Sequence, residues 1–207
     1  MALSKIQPAS MDLTANYAFT GTNSVAGIDY PEKKLATQTA SSSGTLSFTS
    51  GIDSTYNIYK FRFINMHPAT NNVYFSFQCS TDSGSNYNTS IQSTWINAFH
   101  NENDASTGLE YQTGNDQANG TSFQYLSQTT GNENDESCAG ELFLFDPSST
   151  TFVKHFMARL DNYISNDVQM DSFIAGYFNT TSAIDAIQFK MSSGNIDSGT
   201  IEMYGIN

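Results

Sequence analysis

Positive charge is scarce in this sequence. Its 8 lysines and arginines face 20 aspartates and glutamates among 207 residues, a net charge of −12. Nucleic acid needs a clustered basic surface that eight scattered cations do not supply, and an anionic membrane surface needs the same. The composition therefore argues for no nucleic-acid and no membrane partner. Charge of either sign is thin at 14%, against about 25% in ordinary soluble domains. Ser, Thr, Asn, Gln and Gly fill the gap.

Cysteine is equally sparse. Cys79 and Cys138 are the only two, which excludes a disulfide framework and any cysteine-rich zinc site; two free thiols are expected rather than a bridge. No stretch approaches the 18 apolar residues of a membrane-spanning helix, and Met1 to Pro8 lack the basic and apolar regions of a secretory signal. Synthesis in the cytoplasm follows as the expectation. The sequons at Asn88, Asn119 and Asn179 then read as by-products of an Asn- and Thr-rich composition.

Aliphatic residues are also few, which raises the question of disorder. The 27 aromatic residues (15 Phe, 11 Tyr and 1 Trp) answer it. Disordered chains are poor in aromatics, and each buried ring removes about 150–250 Å² from water. Short runs rich in Phe, Tyr, Ile and Thr alternate with polar residues between Gly/Asn/Asp/Ser clusters, the pattern of strands and turns. Strands are predicted over 44–49, 56–66, 73–79, 93–99, 122–128, 140–145, 151–160, 172–178, 186–191 and 199–204. Within 73–79, Val73, Phe75, Phe77 and Cys79 share one face and Tyr74, Ser76 and Gln78 the other. Strands that bury one face each, with no amphipathic helix to cover them, predict an all-β, antiparallel β-sandwich of jelly-roll type.

Residues 1–40 have weak periodicity and run into the low-complexity segment Thr37 to Gly44. They read as an extended N-terminal attachment arm and linker, with 41–207 as the sandwich domain. Ile6, Leu13, Tyr17 and Phe19 are the arm's candidate assembly residues, and such an arm needs a neighbouring chain to lie on. Two polar loops, 100–121 and 129–138, hold most of the acidic clusters.

Catalytic patterns are weak. His67, His100 and His155 lack zinc spacing, no G-x-S-x-G elbow occurs, and no strand carries paired carboxylates on one face. Glu141 and Glu202 each fall inside a strand, but far apart in sequence. No enzyme activity is expected, with a glycan depolymerase as the remote alternative. The acidic loops offer hard oxygen ligands, so Asp104 and Asp135 are candidate calcium ligands, without any calcium-loop spacing; no other cofactor is indicated. Tyr87, Trp95, Tyr111 and Tyr125 lie in or beside the long loops and are candidates for stacking on a sugar ring. Trp95, within Ser93-Thr-Trp-Ile, reads equally as a core residue.

Three stretches carry a family resemblance: LSKIQPASMDLTANYAFTGT at 3–22, KFRFINMHPATNNVYFSFQCSTDSGSNYN at 60–88 and AGYFNTTSAIDAIQFKMSSGNIDSGTIEMYGIN at 175–207. They resemble small β-rich structural proteins of tailed bacteriophages, marine phages especially, whose endings share the form Gly-Thr-Ile-x-x-Tyr-Gly-Ile. The resemblance implies a virion protein, of tail-fibre, tail-associated or capsid-decorating type, made in the host cytoplasm and released by lysis. It also implies other virion proteins as partners, a homotrimer or higher homo-oligomer, and contact with a host-surface glycan. A carbohydrate-binding module outside any virus is the alternative on the same residues.

Overall fold

The computed structural model describes residues 32–207, and these are all-β. Thirteen strands run in chain order: β1 (Lys33–Thr39), β2 (Leu46–Phe48), β3 (Ile58–Pro68), β4 (Phe75–Ser80), β5 (Ile91–Asn101), β6 (Thr107–Tyr111), β7 (Ala118–Gly120), β8 (Gln124–Tyr125), β9 (Cys138–Phe145), β10 (Lys154–Ile164), β11 (Val168–Phe178), β12 (Ala186–Met191) and β13 (Ile196–Ile206). They form a nine-stranded sheet, ordered β1-β13-β3-β9-β10-β11-β5-β6 with β7 also on β5, and a four-stranded sheet, β2-β12-β4-β8. Every pairing is antiparallel.

Eight of these strands make a jelly roll. Four nested pairs, β1 with β13, β2 with β12, β3 with β9 and β4 with β8, are distributed as β1-β13-β3-β9 and β2-β12-β4-β8, the two-sheet arrangement of that fold. Two insertions widen only the first sheet: the hairpin β10–β11 continues from β9, and β5–β7 extend from β11.

The sheets are joined by aromatic rings. Phe189 on β12 meets Phe61 and Phe63 on β3 at centroid distances of 5.5 and 5.3 Å. Phe77 on β4 meets Phe156 on β10 at 5.2 Å and Phe178 on β11 at 5.9 Å, mostly edge to face, the geometry the ring quadrupoles favour. Short turns return the chain: Asp146 opens the one between β9 and β10, its carbonyl accepting from the Ser149 N–H at 3.1 Å. Gly199 lies in a bulge of β13 with φ of 121°. A Cβ there would stand 2.6 Å from the Asn65 carbonyl oxygen, so only glycine fits.

Three sequence expectations change. Residues 33–39, expected in the arm and linker, are a strand hydrogen-bonded to β13; the candidate arm residues Ile6, Leu13, Tyr17 and Phe19 lie outside the described residues. The 100–121 loop contains β6 and β7, which the sequence pattern does not mark because both are largely exposed. β4 is buried on both faces rather than one. Its polar face is satisfied by loop backbone: the Gln78 amide donates to the carbonyls of Thr89, Thr121 and Ser122 at 3.0–3.2 Å, and its oxygen accepts from the Cys79 N–H. Burial of those polar groups is tolerable because each finds a partner.

Candidate interaction face

The inner side of the nine-stranded sheet holds the core, and its outer side faces away from the four-stranded sheet. Strand register aligns one row of outer-face residues across eight strands: Thr37, Glu202, Arg62, Glu141, Arg159, Phe173, Ile96 and Tyr111 are successive cross-strand partners. The row is an alternation of acid and base that passes into an apolar end. A second row runs Lys34, Tyr204, Lys60, Phe143, Met157, Ala175 and Thr94.

Charges on this face are knitted laterally. Lys34 Nζ donates to Glu202 Oε1 at 2.6 Å, and the Tyr204 hydroxyl donates to Glu202 Oε2 at 2.6 Å. Together they hold the Glu202 carboxyl below its ordinary range, the Lys34 bond contributing most. Lys60, almost fully buried, is bonded to Glu32 and lies 5.6 Å from the Tyr204 ring. Arg159 holds Asp171 through Nε and Nη2 at 3.1 and 2.7 Å and covers the Phe173 ring at 4.8 Å. Glu141 and Glu202 share the row with Arg62 between them, about 10 Å apart at the usual strand spacing. Arg62 stands between them in the row, its Nη1 3.8 Å from Glu202 Oε2.

The face is also unusually apolar for an exposed surface. Ile64, Ile96, Leu109, Tyr111, Met157 and Phe173 are exposed large hydrophobic residues on it, Leu109 at 73% and Met157 at 56%. Two adjoining shallow depressions, of about 630 and 360 Å³, share Glu141 and Arg159. Grouped exposed apolar side chains of this kind mark an interaction surface, whereas isolated ones need no explanation.

The candidates named from sequence are scattered. Trp95 is fully buried, its indole N–H donating to Asn97, so glycan stacking is corrected to a core role. Tyr125 stacks on Tyr74 with centroids 4.2 Å apart, and Tyr87 is half-buried. Tyr111 is the exposed member of the four, its hydroxyl donating to Asp116 at 2.5 Å. Asp104 bonds His100 at 3.0 Å, and Asp135 lines a polar hollow beside His67 and Asp197. Among the described residues, no group of three or more His, Cys, Asp or Glu side chains is placed to hold a metal ion. The outer face itself escapes sequence reasoning, because its members come from strands far apart in the chain.

No family model matches this chain, and neither the curated proteins nor the solved structures contain a match to it.

Proposed function

We propose that this chain is a non-enzymatic virion structural protein of a tailed phage, a jelly-roll building block that is tail-associated or capsid-decorating. The observation that carries the reading is the outer face of the nine-stranded sheet. It is broad, carries six exposed large hydrophobic side chains, and groups four of the seven described cations, Lys34, Lys60, Arg62 and Arg159. A face with that composition is stabilised by being covered, and repeated assembly is the setting in which a small domain has it covered. The resemblance of 3–22, 60–88 and 175–207 to phage structural proteins points the same way, and the jelly roll is a fold shared by viral capsid and lectin domains, an analogy that supports without deciding.

On this reading the residues before β1 tie the domain to the particle, the outer face packs against virion partners, and the acidic loops remain in water or meet the host surface. The test is deletion of residues 2–25. The shortened chain is expected to fold and stay out of particles; normal occupancy of the particle by the deletion variant would overturn the attachment role.

A further inference from the structure

We propose that the outer face of the nine-stranded sheet is a two-fold interface with a second copy of this chain, its axis running parallel to the strands between β9 and β10. This deepens the assembly reading, on which it rests, by naming the partner that covers the face.

Charge pattern selects the occupant. The central pair of the row, Glu141 and Arg159, is self-complementary when turned end for end about the line between β9 and β10, while Glu202 comes opposite Ile96. A two-fold axis along the strands does this, because it reverses the order of strands while keeping each row level. The line between β9 and β10 is also the midpoint of the eight-strand row. About it, Glu141 faces Arg159 of the second copy and Arg159 faces its Glu141, as an isologous contact requires. In the neighbouring row Phe143 faces Met157 of the second copy. The opposite choice, an axis along the row, would set Glu on Glu and Arg on Arg.

Charge balance and area agree. Lys34, Lys60, Arg62 and Arg159 stand on this face beside Glu32, Glu141, Glu202, Asp161 and Asp171. The face is therefore close to neutral on a chain of net charge −12, and two copies meet here with less repulsion than elsewhere. Eight strands at about 4.8 Å, with three side chains of one face on each strand, cover roughly 38 by 20 Å. That is near the ~800 Å² per partner of a standard specific interface.

The test is the mass of the full chain by sedimentation equilibrium, with circular dichroism and thermal melting to certify folding. Wild type is expected to be a dimer that dissociates on dilution. Glu141→Arg should give a folded monomer, since it sets a second guanidinium against Arg159 at both symmetric contacts. Adding Arg159→Glu to it should restore the dimer in part, because the facing pair is rebuilt in reversed order while the Arg159–Asp171 bond within each chain is lost. Met157→Lys, at an exposed position, should also yield a folded monomer. A wild-type monomer at every concentration overturns the proposal. So does a dimer or trimer whose mass neither Glu141→Arg nor Met157→Lys changes. Each of these results leaves the virion reading standing, because that reading fails only if the chain is absent from particles.

Discussion

Arg159 clasps both carboxylate oxygens of Asp171 across neighbouring strands, at 3.1 and 2.7 Å, while its guanidinium lies 4.8 Å over the Phe173 ring. The clasp fixes a long, exposed side chain flat against the sheet, so the entropy of ordering it is already spent before a partner arrives. Asp171→Ala should leave the thermal midpoint close to wild type, since exposed ion pairs add little to folding. It should weaken self-association by roughly two- to fivefold, the range an exposed pair is worth. Sedimentation of the variant beside wild type checks this, and unchanged association would separate the clasp from the interface.

Phe189 is an aromatic hub of the core. Phe189 touches Phe48, Phe61, Phe63, Phe75 and Phe77 from both sheets. Phe189→Ala should destabilise the fold by about 3–5 kcal/mol through lost burial and the cavity left behind. Urea unfolding followed by tyrosine and tryptophan fluorescence measures it. A loss well short of that range would mean the sheets are not joined through this ring.

Both cysteines are free and buried, and burial raises each thiol, that of Cys138 to about 12. A thiol needs to be ionised and accessible to react. An aromatic disulfide reagent in mildly alkaline buffer should therefore label neither in the folded protein and both after denaturation, at a rate that tracks unfolding. Rapid native labelling of either residue would contradict this.

Acid should loosen the 80–86 loop. The Asp82 carboxylate accepts from the Ser80 hydroxyl at 2.6 Å and from the Asn86 side-chain and backbone N–H groups at 2.7 and 2.9 Å. Led by the Ser80 bond, these hold its pKa at about 2 rather than the ordinary 3.8. The unfolded chain then binds more protons than the folded one across that interval, so stability falls as pH drops. The contribution is intact above about pH 4 and lost as pH passes through about 2. Asp82→Asn should be less stable than wild type near neutral pH, and the gap should close at about pH 2. A gap independent of pH would contradict the assignment.

Much of the fold was legible along the chain, and the face was not. Ten strands betray themselves as short runs rich in Phe, Tyr, Ile and Thr, several with apolar residues at every second position, as in Phe75, Phe77 and Cys79 or Ile187 and Phe189, because an inner face must be apolar. β6 and β7 give no such signal, since neither buries a face, and β1 is disguised by its Thr, Gln and Lys content. Ser76 and Gln78 read as solvent-facing because loop coverage of β4 is a tertiary event. The Glu202–Arg62–Glu141–Arg159 row is invisible for a different reason. Its members come from four strands of which only β9 and β10 are consecutive, and only the register of β13, β3, β9 and β10 brings them into line. Trp95, by contrast, is ambiguous in sequence and is settled by burial.

Imaging the native particle by electron cryomicroscopy tests the virion reading most directly. The expected result is density on the outside of the virion that fits the thirteen-stranded domain in repeated copies, with the acidic loops turned outward. Purified particles that contain no trace of this chain, while the lysate holds it as free protein, would contradict that reading.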